Sequence, residues 1–277
     1  MKKIFALLSL TVLFFVACDK IEPGPNGEYT VFAGSSATWT DAQPIANPIQ
    51  NALVEKYTGP GCVNCPTADA ILADAHSRIG DQMILVAINP RSGDGAPFSG
   101  QPDMSTDDGE QWVAYYGIAN LPHAMLNRDQ QFMGSGTMNE VEAAVNTVIS
   151  QQPAVAVELS AATVSDGKVS IDVTVQYLQQ IDDSLTLTLV LIEDSLVYLQ
   201  AGAATPMYNH DHMLRDVITD VWGIGIQATG TAGEARKASF SYSLPDGVVK
   251  ANSHIVALVS NADSRHVLNS ASCKIDE

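Results

Sequence analysis

Residues 53–66 read LVEKYTGPGCVNCP. An apolar strand over 53–58 runs into a tight Gly/Pro turn, and Cys62 and Cys65 then open a helix. Two thiols three residues apart at a helix start can close a small disulfide. The same position stabilises a thiolate, because a helix N-terminus carries partial positive charge. Ala68, Ile71, Leu72, Ala75 and Ile79 recur at helical spacing and put one apolar stripe behind the cysteines. Gly80 and Asp81 end that helix, and MILVAIN at 83–89 is the nearly unbroken apolar run of a strand buried on both faces.

The pattern continues downstream. Residues 90–108 form a long polar loop with three Gly and two Pro after Pro90, of a kind that is usually functional or mobile. A short helix is expected at 110–116, then GIANLPHAMLN at 117–127, a hairpin closing at 132–134, and a last helix at 139–151. From Pro153 the period changes to two. Val155, Val157 and Leu159 alternate, then Val169 to Tyr177, then Leu185, Leu187, Leu189 and Leu191. Further strands are expected at 239–244, 254–260 and 266–270, with 223–233 as loop. Several short alternating strands with turns between them indicate an antiparallel β-sandwich.

Upstream, Lys2 and Lys3 precede an apolar run over 4–16 that is too short for a comfortable membrane span. It ends in Phe-Val-Ala-Cys, which resembles a bacterial lipobox. That resemblance implies removal of residues 1–17 and lipidation of Cys18, with membrane lipid as partner through its acyl chains. The alternative is an ordinary secretory signal with a chance cysteine. Residues 18–47 are rich in Pro, Gly, Ser and Thr and read as a tether, with a short strand at 29–32. The formal charge is −17 with no Lys/Arg cluster, which argues against a nucleic-acid partner.

The order strand, CxxC, helix, strand, helix, strand, strand, helix is that of thioredoxin, and GIANLP is similar to the thioredoxin stretch that ends in a cis-proline. The resemblance implies that Pro122 faces the disulfide and Leu121 offers its backbone to a substrate chain. Glu55 stands where thioredoxins keep a buried acid that takes a proton from the second thiol. An exposed strand Glu is the other reading. Two departures bear on redox potential: Gly61, not Trp, precedes Cys62, and Val63-Asn64 replaces the usual Gly-Pro. With the lipobox, TGPGCVNCP resembles a narrower group, the twenty-eight-kilodalton outer-membrane lipoproteins of the Bacteroidetes. It implies an α/β thioredoxin-like domain at 48–151 followed by an all-β immunoglobulin-like sandwich at 152–277, held in the cell envelope at the outer membrane.

Two further candidates come from the residues. In YNHDHMLRD, 208–216, a strand would point His210 and His212 the same way, a possible metal pair without a third ligand fixed by spacing. Cys273 is left over, either a buried inert thiol or a redox partner of the CxxC pair. No cofactor motif stands out. Two functions compete. In the first, Cys62 attacks a protein disulfide substrate, Cys65 resolves the mixed disulfide and Pro122 shapes the groove. In the second the disulfide is a structural staple in a binding or envelope-organising lipoprotein.

Overall fold

The computed structural model describes residues 21–22, 37–163 and 168–276. Cys18, the signal segment, the strand expected at 29–32 and the turn at 166–167 lie outside the described residues. Two short strands come first, β1 (Ile21–Glu22) and β2 (Thr40–Asp41). The next elements are β3 (Ala52–Tyr57), α1 (Cys65–Ile79), β4 (Met83–Ile88), α2 (Asp107–Tyr115), β5 (His123–Leu126), β6 (Gln130–Met133), α3 (Gly134–Met138) and α4 (Val141–Ile149). Strands alone follow, apart from one 3₁₀ turn: β7 (Val155–Thr163), β8 (Val169–Tyr177), β9 (Leu185–Glu193), β10 (Leu196–Leu199), β11 (Met207–His210), β12 (Met213–Val217), β13 (Ile224–Gly225), β14 (Ala235–Tyr242), β15 (Ser253–Asn261) and β16 (Val267–Lys274). The chain is thus mixed α/β and mostly sheet.

The two halves do not own separate sheets. One nine-stranded sheet runs β16-β15-β9-β12-β4-β3-β5-β6, with β13 on β9. It crosses from the second half to the first where β12 lies parallel to β4, Met213 beside Ala87. A five-stranded sheet, β1-β14-β8-β7 with β2 on β14, covers one face of its β9–β15 end. The resulting core joins Ile171, Val173 and Phe240 to Leu187, Leu189, Ile255 and Ala257.

Strand β9 shows why the join forms. Its sequence LTLTLVLIE is buried at every position. Leu185, Leu187, Leu189 and Leu191 face the five-stranded sheet, while Val190 and Ile192 face a second core shared with the first half. That second core gathers Leu53, Tyr57, Val86, Ile88, Trp112 and Met125 with Leu214, Val217, Val256 and Leu258. The opposite face of the first half is closed by α1, α3 and α4 through Leu72, Met138, Val141 and Val145.

Helix α2 is nailed to both halves. Thr106 caps it by accepting from the Gly109 N–H at 2.9 Å, and Asp107, Asp108 and Glu110 lie favourably in its first turn. Its Trp112 is fully buried and donates from Nε1 to the Val221 carbonyl at 3.1 Å. The tether expected through residue 47 ends sooner. Ala37 and Trp39 are buried in the core between the sheets, and Trp39 Nε1 donates to the Gly225 carbonyl. An indole needs a partner when buried, and Gly225 supplies it.

Candidate functional site

The site is built where β3 ends. Thr58 N–H still donates to the Ile88 carbonyl, after which the chain turns back on itself, Cys62 N–H donating to the Gly59 carbonyl at 3.0 Å. Asn64 is the N-cap of α1 without a side-chain bond, and Pro66 sits in the first turn, where a missing N–H costs nothing. Cys62 and Cys65 are joined in a disulfide. Cys65 is the first residue of the helix, and Cys62 lies in the turn ahead of it. Residue Tyr57 of β3 is in register with His123 of β5, so Leu121 and Pro122 reach the same sheet end as the cysteine turn. The Leu121–Pro122 bond is cis, and the Pro122 carbonyl accepts from Gly134 N–H.

The cysteine turn is clamped from two sides. On one, the loop after β4 folds through a 3₁₀ turn at Gly93–Gly95, whose Asp94 carbonyl accepts from Gly61 N–H at 2.8 Å. Gly59 has no room for a side chain there, because a Cβ would meet the Asp94 backbone. On the other side lies the tip of the β10–β11 hairpin. Gln200 Nε2 donates to the carbonyls of Gly59 (3.1 Å) and Cys62 (2.9 Å), and Ala201 N–H to that of Pro60 (2.8 Å). Both cysteines are consequently only 1% exposed, although Val63 between them is 62% exposed. Below the hairpin, Asp69 of α1 takes Lys56 Nζ at 2.9 Å and the Tyr208 hydroxyl at 3.1 Å.

Glu55 is fully buried, not exposed, yet it is not beside the thiols. It shares the face of β3 with Leu53 and Tyr57, opposite the face that carries α1. There Arg128 holds it through Nη2 at 2.7 Å and Nε at 3.0 Å. Its carboxylate is committed to that cation, so the proton-acceptor role fails on geometry. Arg128 reaches it from the β5–β6 turn, where Asn127 and Arg128 take left-handed backbone, and stacks on Trp112 at 4.4 Å.

The stretch 208–216 is not one strand. β11 ends at His210 and β12 starts at Met213, with His212 left-handed in the turn between them. His210 packs edge-on against Tyr208. His212 instead turns to Asp194, its Nδ1 3.3 Å from Oδ1, while His254 Nε2 approaches Oδ2 at 3.3 Å. The two imidazoles therefore do not converge, and no metal-holding group of three occurs among the described residues. Cys273 is also remote from the pair. It lines a cavity of about 300 Å³ with His76, near the far end of α1, about 16 Å of helix from Cys65. Burial, with Asp276 nearby, pushes its thiol up to about 11, which suits an inert cysteine.

Two buried histidines and a half-buried one give the protein a pH dependence. Burial lowers the pKa of His123, His210 and His212, and the Nε2 atoms of the first two have no hydrogen-bond partner. The unfolded chain takes up these protons near pH 6.5 and the folded chain only at lower pH. Stability is therefore full above that value and falls as the pH drops below it. Urea midpoints measured from pH 7.5 to 5.5 should decline steadily. A flat profile over that window would contradict the histidine assignment.

Sequence reading missed Gln200, Asp194 and Arg128. None sits in a spaced motif, and each meets its partner across a large sequence separation. Comparison with known proteins bears on the whole arrangement. The chain is similar to HBP35 of Porphyromonas gingivalis, at 16% identity and a TM-score of 0.67, over 84% of this chain and 77% of that one. It is also similar to protein AGR_C_4864 from Agrobacterium tumefaciens, at 14% identity and a TM-score of 0.52, over 82% and 95%. Identities this low speak of fold alone. No curated protein matches the chain. Among the described residues no helix is long and apolar enough to cross a membrane. The family model described as "Outer membrane protein Omp28" matches residues 109–277, a span that holds Pro122, most of α2 and every strand from β5 on but neither Cys62 nor Cys65. Covering more than half of the sequence, this match places the chain in the family of outer membrane protein Omp28.

Proposed function

We propose that the protein is a lipid-anchored thiol–disulfide oxidoreductase of the cell envelope, a thioredoxin-like unit fused through a common sheet to an immunoglobulin-like sandwich. One observation carries the reading: the Cys62–Cys65 pair stands at the head of α1, at the sheet end shared with Leu121–Pro122. The anchor is Cys18, at the end of the lipobox-like segment. In the reduced enzyme the Cys62 thiolate attacks one sulfur of a substrate disulfide, and the other substrate sulfur leaves and takes a proton. Cys65 then attacks the Cys62 sulfur. The substrate departs as a dithiol, having received two electrons, and the Cys62–Cys65 disulfide is left for a thiol reductant of the envelope to reduce.

The competing reading, a staple, is favoured by the 1% exposure of both cysteines. It predicts little stabilisation, since closing so short a loop contributes only about 2 kcal/mol in the chain-entropy account. Trapping separates the two. In cells making the Cys65→Ser variant, acid-quenched envelope extracts should hold mixed disulfides through Cys62, and the Cys62→Ser variant should hold far fewer. Equal and empty lanes for both variants would leave the staple.

A further inference from the structure

The β10–β11 hairpin leaves the nine-stranded sheet after β9 and returns to it at β12, forming a two-stranded sheet of its own. Both ends of the excursion pass through left-handed backbone, Ser195 at φ 64° and His212 at φ 63°. Non-glycine residues seldom adopt this conformation. Each end is held by an aspartate. Ser195 N–H donates to Asp211 Oδ1 at 2.8 Å, and His212 N–H to Asp194 Oδ1 at 2.7 Å. Between these points the underside rests on a small apolar patch, Leu196 and Tyr198 against Ala87 and Met104. The outer face leaves Val197 and Met207 each 50% exposed. The hairpin is thus a minor element hinged at two defined turns, whose tip seals the disulfide.

We propose that this hairpin is a strap occupying the path of a cysteine-bearing partner polypeptide, and that exchange at Cys62–Cys65 requires the strap to lift. The tip contacts resemble those of a bound chain. Ala201 N–H and the Gln200 amide satisfy the carbonyls of Pro60, Gly59 and Cys62. These are backbone-directed bonds that another extended polypeptide can replace one for one. Gly202, at φ 75°, lies so close to Val63 that a Cβ would run into its carbonyl oxygen, so the seat accepts only bare backbone at that point. With the strap down, an attacking thiolate has no approach to either sulfur. Segments held by few hydrogen bonds and little apolar contact are those that open without global unfolding. The identity of the displacing chain rests on the oxidoreductase reading, but the covering of the pair does not.

Reduction of the folded full-length protein by dithiothreitol tests the strap directly. A reagent thiolate attacks Cys62 Sγ, the S–S bond breaks and Cys65 leaves as thiolate. The second reagent thiol then displaces Cys62, so the pair gains two electrons and two protons and the reagent becomes a cyclic disulfide. The reaction is followed by quenched alkylation and mass spectrometry. Gln200→Ala should speed it by about tenfold, the equivalent of one or two lost hydrogen bonds. Gly202→Ala should speed it by about a hundredfold, because the added Cβ unseats the tip. If Gly202→Ala does not fold, Gln200→Ala, which removes one buried side-chain amide at the hairpin tip, outside both large sheets, carries the test alone. Amides of residues 196–201 should also exchange faster than those of β9 in the wild type, and faster still in Gln200→Ala. Unchanged reduction rates in the folded variants, or wild-type reduction as fast as that of a free CVNC peptide, would overturn the strap. Faster reduction in the variants with no trapped mixed disulfide in cells would keep the strap and remove the oxidoreductase.

Discussion

Replacing Arg128 by Met is expected to destabilise the protein by about 3–5 kcal/mol, the cost of leaving a buried carboxylate without its cation. The wild-type guanidinium and the Glu55 carboxylate are 1% and 0% exposed, joined by bonds at 2.7 and 3.0 Å. The variant also loses the stacking of Arg128 on Trp112, a smaller contribution of about 0.5–2 kcal/mol. Uncovering Glu55 dominates, and that identifies the control. The double variant Glu55→Met, Arg128→Met removes both charges and should recover most of the loss, since apolar replacement of a whole buried pair is often neutral. Urea unfolding of the four proteins of the cycle measures the coupling. A single-variant loss below about 1 kcal/mol would mean that water reaches Glu55 after all.

Separating the chain at residue 151 is expected to abolish folding of both pieces. The change of period near Pro153 is real, since the strand-only half begins at Val155. However, Val190, Ile192, Leu214, Val217, Val256 and Leu258 complete the core over Leu53, Val86 and Trp112. At about 1.5–3 kcal/mol for each buried side chain, these six contribute roughly 10 kcal/mol. That is comparable to the whole net stability of a domain, about 5–15 kcal/mol. Fragment 48–151 should aggregate through the bare face of β3 and β4, and fragment 152–277 should lack a cooperative transition. Circular dichroism of each fragment under urea decides it, and a sharp two-state curve for either would show that the shared core is dispensable.

Local patterns made much of this structure legible. The apolar run at 83–89, the helical stripe behind Cys62 and Cys65 and the alternation of Val169 to Tyr177 each correspond to an element. The joining of the halves was written too, in a subtler form. LTLT in β9 alternates where its second face carries Thr186 and Thr188, and LVLI becomes continuous where that face meets the first half. Alternation could not reveal the break at His212, because Asn209 to His212 are all polar and carry no apolar rhythm to interrupt where the backbone turns left-handed. The fate of Glu55 was also hidden. Its partner is 73 residues away, in a turn whose sequence Asn-Arg-Asp looks like ordinary solvent-facing polarity. Trp39 went unread for the opposite reason, a single large apolar residue within an otherwise linker-like composition.

The shared sheet also imposes an order in time. Ribosomes deliver β3, α1, β4 and α2 long before β9, β12 and β15 exist, yet these late strands cover the Trp112 face. The early half therefore carries an open apolar surface until about residue 258 has emerged. Pairings this distant in sequence form slowly, and half-finished chains of this kind are prone to aggregate. A nascent chain of this design benefits from being kept unfolded until its last strands arrive, which is the condition under which a polypeptide is threaded through a translocon.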